Sequence, residues 1–200
     1  VDQTEKAIEL ANQMPDRNLT RENLLSSIYD GTKRFEINRQ ELFDDVNSLF
    51  LKMIYGNTPL DTGEKPFSNE EMIDIHNKFL AIMDIFFEDG NFGFYRQTVG
   101  WTNIYLAKLY MYSGKNKEAL ECLLIAKQHS IIADTQYDAE STYTCLLFRG
   151  KQFGGITHNI TQNDCLHQLE EMNDKIFDSV RETSAFKEII DELSKFSKYH

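Results

Sequence analysis

Three prolines in 200 residues, Pro15, Pro59 and Pro66, leave everything after Pro66 free of the residue that a helix interior tolerates least. In the open stretches apolar residues recur at spacings of three and four, and no segment alternates with period two over a β-branched run. An all-α chain with essentially no sheet follows. The spacing predicts short helices over 2–14 and from Thr20 to Gly31, and a longer one over 38–55 with Leu42, Val46, Leu49 and Met53 on its face. Ser68-x-x-Glu71 is a capping box, and it opens a helix whose seam is Met72, Ile75, Phe79, Ile82 and Phe86, stopped by Glu88-Asp89-Gly90-Asn91. Further helices are expected near 137–149 and 164–177, and a terminal one from Ser184 to Phe196.

The segment from Trp101 to Ile132 carries the most information. From Leu106, the residues Ala107, Tyr110, Gly114, Ala119, Leu123 and Ala126 stand at offsets 1, 4, 8, 13, 17 and 20. This spacing resembles a tetratricopeptide repeat, a helix–turn–helix unit of about 34 residues. Small Ala107, Ala119 and Ala126 let two antiparallel helices approach, and Gly114 suits the turn between them. Two positions depart: Asn103 replaces the usual large aromatic, with Trp101 nearby, and Ile131 replaces the closing proline. One such unit cannot bury its own apolar face, so the flanking helices are expected to be degenerate repeats. The expected architecture is a single domain over 1–200. Antiparallel helix pairs stack into a tetratricopeptide-repeat-like right-handed superhelix, closed by the C-terminal helix as a cap.

Charge excludes one class of function. Lys plus Arg number 21 against 32 Asp plus Glu, a net charge of −11. Residues 1–100 hold 10 basic and 18 acidic side chains and residues 101–200 hold 11 and 14, so neither half has the clustered cations that phosphate contacts need. Cys122, Cys145 and Cys165 form neither a disulfide framework nor a CxxC metal pair, which suits a reducing cytoplasm. No apolar run reaches the length of a membrane span. No nucleophile elbow, phosphate loop or HExxH helix is present, so no enzyme, cofactor or metal site is expected. His167-x-x-Glu170 reads as a solvated helix face, His76 as a surface or boundary histidine, and Cys122 as a buried inert thiol.

Binding is the activity the pattern favours. Stacked repeats offer a groove lined by the first helix of each pair. On the helix from Trp101 to Ser113, Trp101, Tyr105, Lys108 and Tyr112 lie off the core positions and suit a peptide or a small acidic effector. The competing reading packs Trp101 and Tyr105 against the preceding helix over 79–86.

A series of short motifs runs along the chain: Glu5-Lys6-Ala7-Ile8-Glu9-Leu10-Ala11, Arg21-Glu22-x-Leu24-Leu25-x-x-Ile28-Tyr29-x-Gly31 and Phe87-Glu88-Asp89-Gly90-x-Phe92-Gly93-Phe94-Tyr95. It continues in Ala133-Asp134-Thr135, Ile176-Phe177-Asp178-Ser179-Val180-Arg181 and Phe186-Lys187-Glu188-Ile189-Ile190. In their order and spacing these motifs resemble the region that follows the DNA-binding domain in Firmicute helix-turn-helix transcriptional regulators of the xenobiotic-response-element type. The resemblance implies an effector-sensing, homodimerising part of a cytoplasmic regulator whose DNA-reading module precedes Val1. The start at Val1, without Met, reads as a fragment on the same view. A stand-alone interaction scaffold unconnected with DNA is the alternative.

Overall fold

A computed structural model describes residues 3–13, 21–57, 67–136, 138, 140–153 and 163–198. The regular elements among these residues are all helices, with no strand and one isolated antiparallel bridge between Thr142 and Gln152. The all-α expectation holds. The backbone contacts fall into two compact units, Val1–Thr58 and Pro59–His200.

The first unit consists of α1 (Gln3–Asn12), α2 (Arg21–Ile28) and α3 (Gly31–Asn57), with α2 packed against both neighbours. Thr20, the expected cap of α2, lies outside the described residues. Gly31 was expected to end α2, and the structure places it at φ +57 as the first residue of α3. The helix expected over 38–55 therefore begins seven residues earlier, because residues 32–37 contain no breaker once the turn at Gly31 is made. Its buried edge runs through half-buried Phe43 to Val46 and Phe50. Leu42 and Leu49, expected on the seam, are exposed together with Phe35.

The second unit opens with α4 (Asn69–Phe86). The Ser68 hydroxyl accepts the Glu71 N–H at 3.3 Å and the Ser68 N–H donates to Glu71 Oε2 at 2.7 Å, so the capping box closes in both directions. The buried face of α4 is Met72, Ile73, His76, Phe79 and Met83. Ile75, Ile82 and Phe86, read as seam positions, are only half-buried. The face has turned part of a helical turn toward Ile73 and Met83. His76 is thereby enclosed at 8% exposure, which corrects its reading as a surface or boundary residue.

After Phe87 the chain turns through Gly90 and a 3₁₀ turn, Gly93–Tyr95, into α5 (Arg96–Tyr112). Helix α6 (Asn116–Gln136) returns antiparallel to α5 across Ser113–Lys115, where Gly114 at φ +69 takes a conformation few other residues adopt cheaply. Leu106, Ala107, Ala119, Leu123 and Ala126 are at most 1% exposed, so the repeat positions form the contact between these helices. Helix α7 (Asp164–Met172), a second 3₁₀ turn (Lys175–Phe177) and α8 (Ser184–Phe196) complete the unit, and α6 touches both α7 and α8. Phe186, Ile189 and Leu193 of α8 join Met172, Phe177 and Val180 in the same core as the α5–α6 hairpin.

The helix expected near 137–149 is absent. Residues 140–153 form a loop with turns at 145–150 and the Thr142–Gln152 bridge. Tyr143, Cys145 and Phe148 are buried and Leu146 and Leu147 exposed, a pattern without helical periodicity, and the Tyr143 and Phe148 rings meet Phe87 tilted at centroid distances of 5.5 and 5.7 Å. Tyr95 and Phe92 meet the other sides of the Phe87 ring, giving a second, aromatic cluster. Thr and Tyr side chains in this stretch also favour extended backbone over helix.

Gly93 is the keystone of that cluster. At φ +47 its Cα faces the Phe153 and Tyr143 rings, and a Cβ there would lie 2.5–2.6 Å from their carbons. Gly93→Ala is expected to destabilise the second unit by about 2 kcal/mol through backbone strain and overpacking. Thermal unfolding of the variant checks it, and an unchanged midpoint would contradict the close approach.

Candidate functional site

Helix α5 presents Trp101, Tyr105, Lys108 and Tyr112 at intervals of four, three and four, so one side of the helix carries all four. The structure does not give them a common neighbour. Trp101 is half-buried, with its ring 4.2 Å from that of His167 on α7, and its indole N–H donates to Asp164 Oδ1 at 3.3 Å. Trp101 thus packs on α7, which follows it in the chain, rather than on α4. Tyr105 leans the other way, its ring parallel to that of His76 on α4 at 6.1 Å, and stays half open to solvent. Burial holds the His76 imidazole below its ordinary pKa, so it is neutral at pH 7.

Lys108 is half-buried between two carboxylates, 2.6 Å from Glu171 and 3.3 Å from Asp174. Burial alone would lower its pKa; the hydrogen bond and charge of Glu171, with those of Asp174, hold it above its ordinary value. The ammonium is already compensated by the chain's own acids. Tyr112, in the last turn of α5, is 63% exposed. His167-x-x-Glu170 brings no metal pair together, since His167 lies against Trp101 and Glu170 is exposed. No group of three or more His, Cys, Asp or Glu is placed to hold a metal ion among the described residues.

Below this side of α5 lies a polar cluster that sequence reasoning missed. Asp164, the first residue of α7, is 5% exposed. Its Oδ1 accepts from Gln97 Nε2 at 2.6 Å and from Trp101, and its Oδ2 accepts from the Ser130 hydroxyl at 3.1 Å. Burial pushes the carboxyl pKa up; Gln97, Ser130 and Trp101 oppose that rise, and the nearby Asp134 charge adds to it. Asp134 in turn accepts the backbone N–H groups of Asp164 and Cys165 at 3.0 and 2.8 Å, satisfying donors that the start of α7 would leave orphaned. Asn163 caps the same end and fastens it to the end of α8, donating to Phe196 O at 2.6 Å and accepting from the Lys198 N–H at 3.0 Å.

Two more buried polar atoms adjoin, His129 Nδ1 and Gln168 Oε1, neither with a hydrogen-bond partner. Burial, aided by the Arg96 charge, pushes the His129 pKa down to about 4, so this ring is neutral at pH 7. Both carboxylate oxygens of Asp164 are occupied and enclosed, so the cluster ties α5, α6 and α7 together. The three cysteines are buried, and burial pushes Cys122 up to about 11, which fits an inert thiol. No described helix is long and apolar enough to cross a membrane. Compared with protein-family models, curated proteins and solved structures, the chain matches none.

Proposed function

We propose that this chain is the effector-sensing and oligomerisation part of a bacterial helix-turn-helix transcriptional regulator, built from tetratricopeptide-like helix pairs. The observation that carries the reading is the α5–α6 hairpin, in which Ala107, Ala119 and Ala126 are fully buried at the repeat spacing. Stacking is supported by α5 touching α7 and α6 touching α8, the next-but-one contacts that superposed hairpins make. The net charge of −11 fits a part that stays off the duplex while another module reads it. Effector or partner contact falls to the exposed faces of Tyr105 and Tyr112, because Trp101 and Lys108 are engaged with α7.

The test starts from the intact gene product. The reading frame upstream of Val1 is expected to encode a helix-turn-helix, and the whole product to run as a dimer by light scattering and to retard its own promoter DNA. A frame that starts with Met immediately before Val1 overturns the regulatory reading in favour of a stand-alone binding scaffold. So does a whole product that shows no operator binding with or without cell extract.

A further inference from the structure

Beside the start of α5 a recess of about 90 Å³ opens between the Gly90–Tyr95 turn, the last turns of α6 and Phe153. Its lining combines polar Arg96, Asn91 and Gln136 with apolar Ile132, Ala133 and Phe153. We propose that this recess binds the carboxylate of a small organic acid, held by the Arg96 guanidinium. The assignment goes beyond the regulatory reading and does not depend on it.

The first argument is charge. The chain has 32 acidic side chains, and buried Lys127 and half-buried Lys108 and Arg181 each have one as partner: Glu192, Glu171 and Asp178. Arg96 has none among the described residues. Its Nη2 donates to Gly90 O at 2.8 Å and its guanidinium lies 5.7 Å from the centre of the Phe92 ring. One donor of five is used, and a planar fork with free N–H groups is the group best matched to a carboxylate. Residues 154–162, which follow Phe153, contain no Asp or Glu that would compensate it. Burial holds the Arg96 pKa below its ordinary value, as for a cation short of both water and counter-charge.

The second argument is size and lining. A 150 Å³ cavity takes benzene, so in proportion 90 Å³ takes about four non-hydrogen atoms, a carboxylate with a short stem. The exposed side chain of Gln136 has both a donor and an acceptor to offer. The Ile132, Ala133 and Phe153 wall receives the stem. A phosphate suits the site less well, since a single guanidinium leaves its second charge uncompensated beside apolar carbon.

Calorimetric titration of the 200-residue chain with propionate, propionamide and inorganic phosphate tests the proposal. Propionate is expected to bind one-to-one, and propionamide and phosphate about tenfold more weakly or not at all. Arg96→Gln is expected to cost about tenfold or more in propionate affinity. Ala133→Leu, which fills the recess and leaves the Arg96 contacts alone, is expected to cost as much, so a folding defect in the first variant does not spare the proposal. Equal binding of propionate and propionamide, tighter binding of phosphate, or full affinity in Ala133→Leu overturns it.

Discussion

Leu123→Ala is expected to lower the unfolding free energy of the second unit by about 3 kcal/mol. The side chain is fully buried on α6, in the core it shares with Leu106 and Ala107 of α5. Its truncation removes three carbons' transfer energy and leaves a cavity, and buried Leu→Ala changes of this kind cost about 2–5 kcal/mol. Rigid alanines around the site keep the hole from collapsing, which argues against the low end of that range. Ala126→Leu moves stability the same way by overpacking, at about 1–3 kcal/mol. Leu124→Ala is the matched control: its side chain is 42% exposed, and the change is expected to stay within about 0.5 kcal/mol. Urea unfolding followed by Trp101 fluorescence checks all three. Trp101 is the chain's one tryptophan and stands on α5, so its signal reports on the second unit without interference from the first. Equal losses at Leu123 and Leu124 would contradict the register of the hairpin.

What the sequence made legible was local. The Ser68–Glu71 box, the Gly114 turn and the face of α8 each rest on residues within four or so positions of one another, and the structure contains all three. The misplaced seam of α4 has a different cause. Periodicity locates an apolar stripe, but the elements packed on the helix decide which edge of it is buried, and here they favour Ile73, His76 and Met83. Leu42 and Leu49 of α3 fell on the exposed edge for the same reason. The loop over 140–153 escaped because its order comes from rings that meet Phe87, more than fifty residues earlier in the chain. An aromatic turn of that kind has no period to read.

The polar cluster was still less accessible. Gln97, Trp101 and Ser130 stand 67, 63 and 34 residues from Asp164, and nothing near Asp164 in the sequence announces them. Asp134 lies in a stretch that carries the family resemblance, and its observed work is to hold the start of α7. Arg181, in another such stretch, donates to the carbonyls of Met172, Asn173 and Asp174 at the end of the same helix. Both motifs, at least in these residues, serve the architecture.

That makes Asp164 the place where removal and neutralisation should part company. Asp164→Ala takes the acceptor from the Gln97 amide, the Trp101 indole and the Ser130 hydroxyl at an enclosed site. Each buried donor left without a partner costs about 1–3 kcal/mol, and water admitted to the vacated space returns part of it, so a net loss of about 3 kcal/mol is expected. Asp164→Asn keeps an oxygen for Gln97 and Trp101 and places an N–H toward the Ser130 oxygen, which accepts as readily as it donates. It also removes a desolvated negative charge close to Asp134, and is expected to leave stability at pH 7 within about 1 kcal/mol of the parent. The pH dependence separates the two effects. Because the folded-state pKa of Asp164 is raised, the native state holds its proton more tightly than the unfolded chain. Its contribution is therefore fully present below the unfolded carboxyl pKa and is lost as pH rises through the folded one. Glu71, Asp89, Asp174, Glu182 and Glu192 have lowered values and pull the total the other way, so the parent's curve alone does not show it. The difference between parent and Asp164→Asn does: the parent should lose ground to the variant as pH climbs from about 4 toward neutrality. A difference that moves in the parent's favour as pH rises, or an asparagine variant as damaged as the alanine one, would show that Asp164 is held for its charge rather than for its oxygens.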